Sequence, residues 1–337
     1  MPGMDIFNND AFSLVSLTNA VNEMPFVPSR IRSMGLFRPR PVMTTYIEIE
    51  KKGTSLSLVQ TSQRGAPPSQ RNRDKRDIRN LRIPRIAREA VVYADQVQNV
   101  RAFGTESEVE MVQQVLNQEI GIVRSEVDMT EENLMLGAIT GTIVDADGST
   151  IYNLFTEFGV TPVSAFSFAL ATSTTDVRGV CANVYRTMAR ELKAGGMPFK
   201  VRAFCSDTFF DDLISHPNVK DAYQRYQAGA ALRDSYAWDT FDFGGISFEN
   251  YRGTDDGSSI TIADGDARFF AEGVPGLFDI AYAPADTTET VNTLGLPRYV
   301  IPGVDPSGKN RFMSAEVQAN PLPYCTRPRT LLRGTAA

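Results

Sequence analysis

Between residues 30 and 90 the chain carries 15 Lys/Arg against 5 Asp/Glu, leaving 19 against 35 for the remainder. The middle of that stretch cannot be core. Residues 61–92 hold nine Arg/Lys and no Phe, Tyr or Trp, and Gln63–Arg76 is rich in Gly, Pro, Ser and Asn. Such a segment lacks the apolar surface to offset the entropy of ordering it, so it reads as a limb on a separately folded body. The body is acidic, with a net charge of −6 for the whole chain. A chain charged like a dipole can bind its own copies head to tail, basic limb on acidic body.

The body is large enough for a core. At 337 residues with 42% hydrophobic and 22% charged residues, it fits two domains, or one with long excursions. No apolar run is long enough to span a bilayer, and Met1–Asp5 lacks the basic and apolar regions of a signal peptide. Cys181, Cys205 and Cys325 are odd in number and far apart, which suits a reducing compartment better than a disulfide frame. An acidic pI near 5.1 argues against a whole-protein grip on nucleic acid.

Along the chain, residues 1–36 read as an arm with a short helix over Asp10–Asn22. Tyr46, Glu48 and Glu50 alternate with Ile47 and Ile49 in a half-buried strand over Thr44–Glu50, and a turn at Lys51–Gly53 leads to further alternation at Leu56 and Leu58. Ile78–Ile86 resumes the extended pattern, with Pro84 confining it to an edge. A capping box at Thr105 and Glu108 opens a helix of about 31 residues, or roughly 45 Å. Val109, Val112, Leu116, Ile120, Val123 and Val127 form its apolar stripe, and Gly137 is placed to end it. Asp145–Gly148 is a hairpin turn between Ile139–Val144 and Ser149–Leu154. From Ser164 the pattern alternates: strand Ala165–Ala171, helix Asp176–Lys193 ending at Gly195–Gly196, strand Phe199–Cys205, helix Thr208–Ser215. Extended segments follow at Phe241–Tyr251, Ser259–Ala263, Tyr299–Ile301, Met313–Gln318 and Asn320–Arg329.

Catalytic constellations are sparse. His216, the single histidine, stands before Pro217 at a helix end, where a structural role is more usual than that of a base. There is no G-x-S-x-G elbow, and no two cysteines have zinc spacing. Gly303–Asn310 has the glycines and lysine of a phosphate loop. However, Asn310 replaces the Ser/Thr, Pro306 removes an N–H, and no helix pattern follows. Asp145–Gly148 and Asp264–Asp266 resemble fragments of calcium loops without their remaining carboxylates. These features imply no enzyme, no cofactor and no metal. Two rival readings remain: a cytosolic α/β enzyme built on 163–300 around His216, and a nucleic-acid-binding protein using the basic segment 60–88. The second lacks aromatic stacking platforms and a recognition helix.

The stretches Gly141–Gly159, AEGVPGLFDIAYAPAD (271–286), VNTLGLPRY (291–299) and NPLPYCTRPRTLL (320–332) resemble the major capsid proteins of tailed bacteriophages, most closely the lambda-like capsid protein E family. The resemblance covers essentially the whole chain. It implies an α+β, Hong Kong-type capsid fold: N-terminal arm 1–36, E-loop 50–83, and A-domain 163–300. The P-domain would comprise 37–49, 84–162 and 301–337, with its spine helix at about 105–137. It further implies pentamers and hexamers in an icosahedral virion shell, assembled in the host cytoplasm through a procapsid that encloses DNA without reading its sequence. Implied partners are copies of the chain, a scaffolding protein, a portal and a decoration protein; no membrane is involved. A short arm in place of a long helical pre-segment implies a separate scaffold. With only Lys75 at the limb's tip, and Lys51 and Lys52 at its base, non-covalent cementing is implied over crosslinking. The candidate subunit-interface residues are Arg64, Arg71, Arg73, Lys75, Arg76, Arg79 and Arg82.

Overall fold

A computed structural model describes residues 30–51, 77–93, 108–193, 198–225, 240–253, 260–305, 307–308 and 311–337. The helix expected at 10–22, the strand at Leu56 and Leu58, and the basic tip 63–76 lie outside the described residues.

A helix of 33 residues, Glu108–Thr140, runs through the body and changes character along its length. Leu116, Ile120, Val123 and Val127 are buried at three- and four-residue steps, while Gln118 and Ile122 face out. This stripe lies on a three-stranded antiparallel sheet in which Phe312–Ala319 is central, between Tyr299–Val304 and Ile86–Tyr93. Ala90, Val92, Val300, Met313 and Val317 complete that cluster. The side chains of Val109 and Val112 are outside the described residues. From Leu134 to Ile139 the helix is buried on every side, as a helix apolar all round must be.

Gly137 does not end this helix. A Cβ there would lie 2.8 Å from the Cα of Ile143 and 2.9 Å from the carbonyl of Thr142, so the residue permits close approach of the following strand. The helix stops three residues later, where Gly141 takes φ +87°. The hairpin Thr142–Val144 and Thr150–Asn153 then folds back, as its Asp-Gly turn predicts.

Tyr46–Lys51 pairs antiparallel with Asp77–Arg82, forming a two-stranded stem with Ile47 opposite Leu81, both buried. The extended run expected over 78–86 is two strands. Pro84, with no N–H to give a ladder, falls in the break, and Ile86–Tyr93 leaves to join the sheet under the long helix.

The alternating region builds a six-stranded sheet in the order Phe166–Ser167, Leu332–Thr335, Asp266–Glu272, Lys200–Cys205, Ile246–Asn250, Thr240–Phe243. Helix Val177–Leu192 buries Val177, Cys181, Val184, Met188 and Leu192, with Asp176 accepting from the Gly179 N–H at its start. It ends at Lys193 in the left-handed region (φ 48°), before the expected Gly195–Gly196. Helix Asp207–Ser215 follows, capped by Ser206. Phe168, Phe209, Phe248 and Phe269 meet at its base, with ring centroids 5.3–6.5 Å apart. Two expected strands shrink. Only Phe166–Ser167 of 165–171 is regular strand, paired with Gly334–Thr335, although the Phe168 and Leu170 N–H groups still reach the Thr335 and Ala336 carbonyls. Ser259–Ala263 is no strand over its described part: Ile260 and Ile262 alternate into the core without a ladder partner.

Hydrogen bonds cross the boundary expected at 300/301. Leu332–Thr335 pairs with Asp266–Phe269 inside the six-stranded sheet, and Pro321–Cys325 pairs with Phe278–Tyr282, which also receives Arg38–Pro41 in parallel. The main core runs unbroken from Ile31 to Leu332.

Because Leu116 is almost wholly buried between helix and sheet, Leu116→Ala should destabilise by about 2–5 kcal/mol, whereas exposed Gln118→Ala should change stability by under about 0.5 kcal/mol. Denaturant midpoints of the purified variants measure both; equal losses would mean that the helix packs by a different face.

Candidate functional site

His216 is buried with both ring nitrogens committed to backbone. Nε2 lies 3.0 Å from the Thr172 carbonyl, and Nδ1 receives the Asn218 N–H at 3.3 Å. A carbonyl only accepts and an amide only donates, so the hydrogen sits on Nε2 and neither nitrogen is offered to a substrate. The three cysteines are free and buried; burial pushes the Cys181 and Cys325 thiols up to about 12 and raises Cys205 as well. The phosphate-loop mimic is a strand through Gly303 followed by a turn. There the Asp305 carboxylate takes the N–H groups of Ser307 (2.8 Å) and Arg311 (3.1 Å) that a phosphate would need. Asp145–Gly148 is a hairpin turn, with Asp147 accepting from the Ser149 N–H. Asp264 accepts from the Thr208 hydroxyl, and Asp266 is buried against Arg268 and Arg333. Among the described residues no three His, Cys, Asp or Glu side chains could share a metal ion.

The densest polar chemistry is on the long helix, where Asp128, Glu131 and Glu132 are all buried. Arg298 reaches the first two through its guanidinium, donating from Nε to Asp128 at 3.0 Å and from Nη2 to both carboxylates. Arg32, on the one-turn helix Arg30–Ser33, donates to Asp128 (3.1 Å) and Glu131 (2.7 Å). Arg124, one turn earlier, adds a third guanidinium 3.7 Å from Asp128. Tyr282 donates to Glu131 at 2.8 Å, while Glu132 accepts the Ile31 N–H at 2.7 Å and the Tyr251 hydroxyl at 3.2 Å. Burial, with the carboxylates alongside, raises both tyrosines well above their ordinary range and keeps them as donors. Arg32, Arg124 and Arg298 thus converge on Asp128 and Glu131, while Glu132 is held by a backbone N–H and a tyrosine hydroxyl. A second network adjoins it: Arg30 and Arg202 share Glu249, and Arg202 also reaches Glu272.

Sequence reasoning missed this cluster. Its signal was present as acids at 128, 131 and 132 beside the apolar stripe, with Arg124 four residues before Asp128. The distant partners Arg32 and Arg298 carry no local mark.

The basic stretch spends part of its surplus inside the molecule. Arg38 grips Asp279 with two hydrogen bonds, Arg85 reaches Asp286 and Glu316, and Arg88 pairs with Glu126. Of the candidate interface residues, Arg64, Arg71, Arg73, Lys75 and Arg76 lie outside the described residues. Arg79 and Arg82 are exposed on the second strand of the stem, where Arg79 donates to the Thr156 carbonyl at 3.3 Å. Beside them Tyr152 holds the stem root: its hydroxyl accepts from the Arg82 N–H and donates to the Arg82 carbonyl, both at 2.9 Å.

The frame is thus a tightly tied body with a two-stranded stem joined to its core through Ile47 and Leu81. A family described as "Phage major capsid protein E" matches residues 13–336, nearly the whole chain. The chain belongs to this family. Among similar proteins, the major capsid protein of Salmonella phage Felix O1 is 26% identical and that of Pseudomonas phage KPP10 is 28% identical, over 95% and 97% of both chains. Solved structures agree in fold. The capsid of an empty GTA particle superposes with a TM-score of 0.55 over 93% of this chain and 92% of that one, at 10% identity. The cyanophage P-SCSP1u capsid gives 0.52 over 93% and 90%, at 12% identity. The α+β Hong Kong-type capsid fold expected from the sequence is therefore the one observed, and neither the His216 enzyme nor the nucleic-acid reading finds support.

Two substitutions probe the frame of this capsid-family protein. Arg298→Ala leaves two buried carboxylates short of a partner and should cost about 3–5 kcal/mol, read from the denaturant midpoint. Tyr152→Phe frees an exposed N–H and carbonyl that water can satisfy, so its cost should stay near 1 kcal/mol. Its signature should be faster amide hydrogen exchange at Arg82 with the long helix unchanged; unchanged exchange there would mean that the hydroxyl does not hold the stem.

Proposed function

We propose that this protein is the major head subunit of a tailed phage or prophage, assembling as pentamers and hexamers into an icosahedral shell around the phage DNA. The observation that carries this reading is the family match along residues 13–336, nearly the whole chain. The subunit acts by area and geometry and catalyses nothing, a reading supported by His216 and the thiols being sealed inside the fold.

In this reading residues 1–36 are an arm and 50–83 an E-loop. The long helix and the sheet beneath it form a P-domain, and 163–300 an A-domain that takes in the returning strand Leu332–Thr335. Assembly runs in the host cytoplasm through a procapsid, with a separate scaffolding protein, a portal and a decoration protein as partners. The DNA is enclosed without sequence-specific contacts, and no membrane takes part. The limb residues Arg64, Arg71, Arg73, Lys75, Arg76, Arg79 and Arg82 serve contacts between subunits. The charge pattern supports this: on the described part of the stretch, Arg30, Arg32, Arg38, Arg85 and Arg88 pair with the chain's own acids, and the limb beyond them is more basic still.

Negative-stain microscopy of the protein co-expressed with its flanking phage genes should show closed particles. Reversing Arg71, Arg73 and Arg76 to Glu should lower particle yield more than changing them to Ala, because repulsion adds to lost attraction. The defect should weaken as salt rises, since exposed charges more than about 10 Å apart are screened near 0.1 M. Equal sedimenting yields of wild type and the triple-Glu variant at low salt would refute the limb's electrostatic role.

A further inference from the structure

Helix Val177–Leu192 buries one face in the core and turns the other to solvent. On the outer face Arg178, Arg186 and Arg190 are exposed, and Lys193 continues the line at the C-terminal end. At 1.5 Å per residue the four charges are strung over about 22 Å. Glu191 is the one acid within the helix, and Arg329 holds it with two hydrogen bonds of 2.7 and 2.8 Å. Among the described residues none of the four pairs with an acid, whereas Arg30, Arg38, Arg202, Arg268 and Arg333 all do. Outside residues 30–90 the chain carries 35 acids to 19 bases, so an unneutralised basic line stands against its surroundings.

Helix stability does not account for this line. Cations favour the C-terminal end of a helix dipole, which suits Arg190 and Lys193. Arg178 sits in the first turn, where the positive end disfavours it. Nor does the face suit a protein partner. Between its charges it offers Gly179, Ala182, Asn183 and Ala189, and so lacks the large apolar side chains that form the centre of a protein interface. A row of unpaired cations without an apolar centre fits a ligand whose binding energy is itself charge, and a nucleic-acid backbone is such a ligand.

We infer that the outer face of this helix binds the phosphate backbone of double-stranded DNA without reading its sequence. The source of that DNA rests on the shell reading above, which this inference deepens: the enclosed duplex touches the subunit along 178–193, while the acidic body around the helix repels it. The surface is separate from the basic limb, whose charges are assigned above to contacts between subunits. Four contacts make a weak and salt-sensitive hold, under which a duplex can still slide.

The test is fluorescence anisotropy of dispersed full-length subunits with two duplexes of about 20 base pairs and unrelated sequence, over roughly 50–200 mM salt. The limb is the same in every sample, so differences between variants report the helix. Arg178→Gln, Arg186→Gln and Arg190→Gln combined should leave the melting temperature unchanged, because all three side chains are exposed. Binding should weaken about tenfold or more near 0.1 M salt, and the slope of log affinity against log salt should flatten by about 0.9 for each residue replaced. The corresponding triple Lys variant should bind like the wild type, and the two duplexes should bind alike. An unchanged slope in the triple Gln variant, or a marked preference for one duplex, overturns the backbone contact. Microscopy after co-expression with the flanking genes scores assembly separately, and the triple Gln variant should still form closed particles. Its failure to do so would assign the face to a protein partner and overturn the inference. A wild type without particles overturns the shell reading alone, since the binding measurement does not depend on assembly.

Discussion

Taking Asp128, Glu131 and Glu132 out of water costs several kcal/mol per ion unless each finds compensating charge and hydrogen bonds. Arg124 alone, on the same helix, cannot meet that demand. Arg32 comes from 96 residues away and Arg298 from 170, so the long helix is satisfied only when the N-terminal segment and the 291–298 loop are both docked. Tyr282 and Tyr251 bring in two further segments. A buried ion cluster is weak evidence of stability, since apolar groups of the same volume often do as well. What it supplies here is a single geometry, because a shifted helix would leave carboxylates buried and unpaired. The network at Glu249 extends that constraint from Arg30 into the six-stranded sheet.

The cluster and its neighbours also fix where two exposed parts of the chain sit. The stem at 46–51 and 77–82 is gripped at its root by Tyr152, and the exposed loop at 291–297 is anchored through Arg298 in the cluster itself. Those two projections differ in physics. The basic stretch is rich in charge, while the loop at 291–297 is neutral and apolar.

Much of the architecture was legible from periodicity. The stripe at Leu116, Ile120, Val123 and Val127, the buried face of helix 177–192 and the hairpin turn at Asp145–Gly148 all follow from local chemistry acting over a few residues. The misreadings share one cause. Gly137 looked like a stop because glycine ends helices, but its partner is the backbone at Ile143, brought near by the fold. Ile260 and Ile262 alternate like a strand and are buried like one, yet a ladder also requires a neighbour with free N–H and C=O groups. Family resemblance carried the fold and the class of function beyond what periodicity reached.

The sequence by itself determined which segments could be core and which could not: a basic limb without aromatic residues, a long amphipathic helix, and an acidic body with one histidine and three scattered cysteines. Those are properties of composition and short-range spacing, read without knowing what lies alongside. Only the tertiary structure decided which charges are paid for internally, which strand joins which sheet, and which apolar residues stay outside. A charge at position 128 is neutralised by one at 298, and the strand at 332–335 enters a sheet begun at 166. Pairing energies depend on distance in space, and the chain brings those residues together only when it is folded.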